Sequence, residues 1–306
     1  MRSTIKQKIV VPVSICITLL VSPFFALPRA TSVEKPKVLY ALVDTNFDAP
    51  TPPSTPFDPP ILLAVNLEAQ KGAVSGIDNG EFRVGVIGST RAPASVSLAI
   101  CPAGGEDGQG AVAYTVASIF SGKNQLAKLD LRTGAATLVG SPMVPELDIM
   151  AFACSPDGTL YAIGQLDPTN PAFNSLYKVD RETGLATLIG STGVNNGNAS
   201  PPDPFSLSGF FMALAFAPDG TLYGISDDGL GKGSTLYSIS LKNGVATHVA
   251  HTNVDGVMGL AIDEDGKFYV TDYVPQSKIY TLDSVTGMAT PILETHLDLV
   301  INIAFN

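Results

Sequence analysis

Residues 176–191 read LYKVDRETGLATLIGS, and residues 150–165 ahead of them read MAFACSPDGTLYAIGQ. Each phrase is two short β runs joined by a tight turn. Alternation, β-branched residues and tyrosine mark the runs as strands. Asp157-Gly158 is an Asp-Gly hairpin signal. Thr183-Gly184 ends the second hairpin, where glycine can take a positive φ. Two hairpins in succession make a four-stranded meander.

Both phrases repeat. The first recurs as LAKLDLRTGAATLVGS from Leu126, LYSISLKNGVATHVAH from Leu236 and IYTLDSVTGMATPILE from Ile279. A weaker copy is ILLAVNLE from Ile61, continued after an insertion by FRVGVIGS from Phe82. The second recurs as MALAFAPDGTLYGISD from Met212 and MGLAIDEDGKFYVTD from Met258, with a degenerate copy between Ser97 and Ser118. Gly134, Gly184, Gly244 and Gly287 are 50, 60 and 43 residues apart, so the unit is fixed and its loops vary. A period of this size is that of a propeller blade. The chain ends DLVINIAFN, a first strand, and KVLYALVD near the start is a second strand. Together they complete one blade. The expected fold is all-β, a propeller of about five four-stranded blades whose ring is closed by pairing the N- and C-terminal strands. Closure hides sheet edges that would otherwise recruit other strands.

The phrases resemble the LYxxDxxTGxxTxIG and PDGTLY propeller repeats of many exported bacterial proteins. GLAIDEDGKFYVTDY also resembles NHL-type and gluconolactonase-like blades. The resemblance covers nearly all of residues 37–306 and rests on turn and core residues, so it implies architecture rather than chemistry. The chain has no tryptophan, which argues against WD-repeat, sialidase-like and quinone-cofactor propellers.

The N-terminus reads as an export signal. Arg2, Lys6 and Lys8 precede an uncharged apolar run from Ile9 to Leu27. Residues 1–30 are expected to be a signal peptide and residues 31–306 one propeller domain. An uncleaved membrane anchor is the alternative, because 19 apolar residues can span a bilayer. Without residues 1–30 the chain carries 14 basic and 28 acidic residues, a formal charge of −14. Such a chain repels phosphates, and nucleic acid is excluded as a partner. Localisation is expected to be periplasmic or extracellular. That setting permits a disulfide. Cys101, however, lies one aligned position beyond Cys154, and this opposite parity argues against a bond between them.

In the first strands Ala99, Ala153, Ala215, Ala261 and Ala304 align, preceded two residues earlier by Ser97, Ala151, Ala213, Gly259 and Asn302. These small residues are expected at a narrow axis, leaving most of the channel crowded. Farther along that face Asp255 and Asp298 are expected at one mouth. With Asn302 they form an all-oxygen group that could suit Ca²⁺, or they are plain solvated loop residues. The longer loops, 44–60, 165–175, 191–209 and 227–234, fall on the same side, and Asp44, Ser118, Gln165, Asp227 and Tyr273 mark the second-strand exits there. A scaffold presenting varied loops on one side is a common binding arrangement. Asp130, Asp180 and Asp283 before the TG turns read as Asx motifs. His248, His251 and His296 fall at blade edges, and Asn198-Ala199-Ser200 is a formal sequon. No nucleophile-elbow, zincin or P-loop pattern occurs.

The function these features imply is a non-enzymatic exported scaffold binding a protein, glycan or small ligand through its long-loop side. A metal-dependent lactonase and a membrane-tethered surface protein are the alternatives.

Overall fold

The computed structural model describes residues 37–44, 60–67, 77–78, 83–91, 97–102, 111–117, 124–141, 148–165, 174–194, 210–227, 233–272, 277–295 and 299–305. Among them are 21 strands and no helix. Four antiparallel sheets are built consecutively along the chain. Blade 2 is β5 (Ala99–Cys101), β6 (Val112–Ala117), β7 (Gln125–Leu129) and β8 (Ala136–Leu138). Blade 3 is β9 (Asp148–Cys154), β10 (Leu160–Gln165), β11 (Ser175–Val179) and β12 (Ala186–Ser191). Blade 4 is β13 (Phe210–Phe216), β14 (Leu222–Asp227), β15 (Ser234–Ile239) and β16 (Ala246–His251). Blade 5 is β17 (Val257–Ile262), β18 (Phe268–Asp272), β19 (Lys278–Leu282) and β20 (Ala289–Glu294).

The remaining sheet, blade 1, is composite. It runs β21 (Leu299–Phe305), β1 (Val38–Asp44), β2 (Ile61–Asn66), β4 (Arg83–Ser89), with the short β3 (Ile77–Asp78) outside. β1 pairs with β21 from Leu39↔Phe305 to Asp44↔Leu299, so the expected closure is present and the ring has five blades.

The register exposes the repeat. In every blade the aligned alanine of the first strand faces a tyrosine of the second: Ala99↔Tyr114, Ala153↔Tyr161, Ala215↔Tyr223, Ala261↔Tyr269 and Ala304↔Tyr40. A small residue beside a large one lets neighbouring sheets interdigitate.

Blades stack front to back. Ala151 and Ala153 share a core cluster with Phe211 and Leu214 of the next blade, and Ala213 and Ala215 with Leu260 and Ile262. The small faces therefore meet the large faces across the blade gaps; the axis meets the edges of the first strands. Phe152 and Phe211 are the largest of the fully buried side chains among the described residues.

This stacking overturns the parity argument about the cysteines. Cys101 and Cys154 are disulfide-bonded, with Cα atoms 5.1 Å apart. Cys101 shares a face with Ala99, and Cys154 shares a face with Phe152; these two faces pack together. Residues of successive blades meet only if they point in opposite senses, so opposite parity is the condition for the bond.

The turns follow their chemistry. In each PDG-type turn the glycine N–H donates back three residues, as from Gly158 to the Ser155 carbonyl at 2.8 Å. The Asx motifs are present: Asp180 Oδ1 accepts from the N–H groups of Glu182 (3.0 Å) and Thr183 (2.7 Å), Asp283 Oδ1 from those of Val285 and Thr286, and Asp130 Oδ1 from that of Arg132. These hydrogen bonds hold the carboxyls of all three below the ordinary carboxylate range.

The TG turns also seal the blades together. A Cβ on Gly190 would lie 2.1 Å from the Asn243 carbonyl oxygen of the next blade, and Gly244 in that turn has φ +81°. Gly88 meets Thr133 and Gly140 meets Thr183 in the same way. The IG that ends one repeat is thus the seat for the TG of the next.

At the seam between blade 5 and blade 1 charge takes over. Asp263 is buried and accepts from the Asp265 N–H (3.0 Å), the Lys267 N–H (2.9 Å), the Tyr269 hydroxyl (3.2 Å) and Lys37 Nζ (3.3 Å). Lys37 also pairs with Asp265. Burial pushes the Asp263 carboxyl up, but the Lys267 amide and Lys37 outweigh it and hold it below its ordinary value. Burial, with Asp263 alongside, pushes the Tyr269 phenol up to about 12.

Candidate functional site

Antiparallel order puts all PDG and TG turns on one side of the ring, the turn side. The second-strand exits and the links between blades lie on the other, the loop side. Asp44, Gln165 and Asp227 end β1, β10 and β14, three equivalent second strands. Their main chains therefore stand at the loop side in blades 1, 3 and 4. Asp227 is half-buried, and its backbone faces Phe210 on one side and Ser234 on the other. Ser118 and Tyr273, directly after β6 and β18, lie outside the described residues, as do the side chains of Asp44 and Gln165.

Of the Ca²⁺ group, Asp298 lies outside the described residues. Asp255 is exposed, and its Oδ1 accepts the Gly233 N–H at 2.6 Å. Asn302 is buried in β21; its Oδ1 accepts the Ile303 N–H at 2.9 Å, and its Nδ2 has no hydrogen-bond partner. Each therefore has one oxygen engaged by a main-chain N–H. His251 Nδ1 lies 2.9 Å from Thr235 Oγ1, and His248 packs edge-on against Tyr237. Both contacts tie β16 to β15. Residues 1–36, the sequon and His296 lie outside the described residues.

The loop side rests on a buried polar collar that the sequence reading missed. Two residues before each third-strand Leu/Ile-Tyr pair stands Asn174, Ser234 or Ser277, each almost fully buried. Ser234 Oγ accepts the Val257 N–H and Ser277 Oγ accepts the Val300 N–H, both at 3.1 Å. Asn174 Oδ1 takes the Phe211 N–H at 3.5 Å. Each thereby pins the start of the next blade's first strand. Their carbonyls accept from Thr192, Thr252 and Thr295, which follow the fourth strands. The signal in the sequence was the small polar residue before each LY.

Blade 5 adds a second tie. Asp272, buried at the end of β18, accepts the Lys278 N–H at Oδ1 and the Tyr280 hydroxyl at Oδ2, both at 2.7 Å. Burial, then this hydrogen bond, raises the Tyr280 phenol above its ordinary range. The base of the loop carrying Tyr273 is thus clamped.

A cavity of about 100 Å³ lies on the axis, at the turn side. The last three residues of β9, β13, β17 and β21 line it, with Leu98, Ala99 and Ile100 of blade 2. The small residues expected to crowd the axis pack into the blade gaps instead, and the first-strand edges bound this hollow.

No family model matches this sequence, and no curated protein is similar to it at a significant level. Solved structures similar to it include TolB of Acinetobacter baumannii: 19% identical, covering 86% of this chain and 54% of that one, TM-score 0.47. A gluconolactonase from Xanthomonas campestris is 13% identical over 78% of this chain and 73% of its own, TM-score 0.43. A chain of a nidogen/laminin complex is 12% identical over 88% of this chain and 97% of its own, TM-score 0.49. This chain spans about half the length of TolB. These are likenesses only, and no activity or partner is taken from them.

Proposed function

We propose that this protein is exported and acts as a binding scaffold whose loop side holds a ligand. Asp44, Ser118, Gln165, Asp227 and Tyr273 form its recognition surface in this reading. The observation that carries it is the buried collar of Asn174, Ser234 and Ser277, which fixes the ends of the loops on a closed ring. A fixed base presenting loops of different length suits recognition. The two buried carboxylates described, Asp263 and Asp272, are both engaged in holding turns and strands. Export is supported by the basic-then-apolar N-terminus, with cleavage proposed near Ala30, and by the Cys101–Cys154 disulfide, a bond that persists in oxidising compartments.

Site-specific photocrosslinking in the native host tests this. A photoreactive residue at Asp227 is expected to give a discrete adduct, while one at Lys242, in the Asn243-Gly244 turn, gives none. Adducts from both positions alike, or from neither, would count against the loop side. Mass spectrometry of the mature chain is expected to find Thr31 near the N-terminus; an intact residue 1 would favour a tethered protein instead. A rise in unfolding midpoint with millimolar Ca²⁺, lost in Asp255→Ala, would move the lactonase reading ahead.

A further inference from the structure

We propose that the Cys101–Cys154 disulfide is a redox-sensitive latch on blade 2: its reduction lets this one blade open while the rest of the ring stays closed. The inference does not depend on the loop-side reading.

Blade 2 has the least sheet of its own. Its first strand, β5, and its fourth, β8, have three residues each. The first strands of the other blades have six or seven, and their fourth strands do too. Ser97 and Leu98, whose counterparts Ala151 and Phe152 lie within β9, stand outside β5. Short ladders open at a lower cost than long ones.

Its seam with blade 1 lacks a tie that three other seams have. Asn174, Ser234 and Ser277 each pin the first strand of the following blade through a side-chain oxygen. The same place in blade 1 is held by Pro60, whose carbonyl accepts the Thr90 N–H just as the Asn174 carbonyl accepts that of Thr192. A proline side chain has no hydrogen-bonding atom, so blade 1 has no collar side chain to pin blade 2.

The same seam buries polar atoms at a loss. Thr115 lies on the face of β6 that carries Ala113, which packs with Leu42 and Leu62 of blade 1. Asn302 stands opposite Leu42 in the sheet of blade 1 and so meets this seam as well. Thr115 Oγ1 and Asn302 Nδ2 are buried without a hydrogen-bond partner, and so is Ser97 Oγ just ahead of β5. Each regains hydrogen bonds to water when the seam opens, which favours opening.

Against this stands the covalent bond to blade 3. Cys154 is half-buried and Cys101 fully buried, so an incoming thiolate meets the Cys154 sulfur first. The reductant is a dithiol. Its thiolate bonds to Cys154 Sγ, the bond to Cys101 breaks, and the Cys101 thiolate leaves and takes up a proton. The second thiol of the reagent then displaces Cys154, so the dithiol becomes a disulfide and both cysteines become thiols. Because β5 to β8 pair only with one another, the blade can swing away without undoing a neighbour's ladder or the β1–β21 closure. Opening uncovers Phe152 and Tyr177, which blade 2 covers in the closed ring.

The test is hydrogen–deuterium exchange of the purified protein under native conditions, read by mass spectrometry with and without dithiothreitol, while alkylation counts free thiols. Dithiothreitol is expected to free both thiols and to speed exchange in β5 to β8 at least about tenfold, while β13 to β20 change less than about twofold. The Cys101→Ser, Cys154→Ser variant is expected to show this pattern without reductant and to be indifferent to it. Wild type in dithiothreitol decides the matter even where that variant does not fold. The proposal is overturned by a disulfide that stays intact until the whole protein unfolds, by exchange that speeds equally in all five blades, or by unchanged exchange in β5 to β8 once both thiols are free.

Discussion

The seam between blades 3 and 4 and the seam between blades 5 and 1 join the same kind of sheet by different means. At the first, the Gly190 backbone lies against the Asn243 carbonyl, leaving no space for a side chain. At the second, the residue aligned with Gly190 is Leu293, and the partner turn is replaced by the connection between β2 and β4. There Lys37, Asp263, Asp265 and Tyr269 form a charged clasp. The seam between blades 2 and 3 carries a third device, the disulfide, beside the Gly140–Thr183 contact. A regular repeat seals itself through its own turns. Where the repeat is broken, or the blade is short as in β5 and β8, side-chain chemistry supplements it.

The strongest way to break this contrast is Gly190→Val. A Cβ 2.1 Å from a carbonyl oxygen forces two blades apart. The variant is expected to lose more than about 4 kcal/mol, a drop in midpoint of roughly 10 °C or failure to refold. Next comes the Cys101→Ser, Cys154→Ser double variant. Its bond closes a loop of sequence separation 53, and about 2–4 kcal/mol is expected to be lost. The same loss should follow when wild type is unfolded in reductant, and reductant should leave the double variant unchanged.

Asp263→Asn probes the charged seam. It removes the charge facing Lys37 and is expected to lower stability by about 1–3 kcal/mol at neutral pH. The folded carboxyl lies below its unfolded value, so its contribution is full above about pH 4 and disappears as pH falls through the folded value. Denaturant curves for the two proteins should therefore converge in acid. A constant gap down to pH 2 would mean that shape, not charge, holds the seam. The smallest effect is expected at Val285, a TG-turn residue 86% exposed. Val285→Ser should stay within about 0.5 kcal/mol of wild type.

Blade number, strand order and closure were legible because turn glycines and alternating runs are local signals. The parity of Cys101 and Cys154 was legible too, but its meaning depends on stacking between blades, which no single repeat contains. The collar of Asn174, Ser234 and Ser277 was hidden because one serine before LY looks like ordinary loop polarity. Its role shows only when the next blade's N–H groups arrive beside it. The axial hollow was not legible. The five aligned alanines suggested a crowded axis, but they pack into the gaps between blades, and only that stacking leaves the strand edges facing the centre.

The pairing of β1 with β21 has a consequence for when the protein folds. Residues 39–44 must find residues 299–305, so the final seam cannot form until almost the whole chain is available. Contacts this distant are costly to close and place the fold among slowly folding topologies. A chain still lacking its last seven residues can therefore hold four complete sheets and yet no ring.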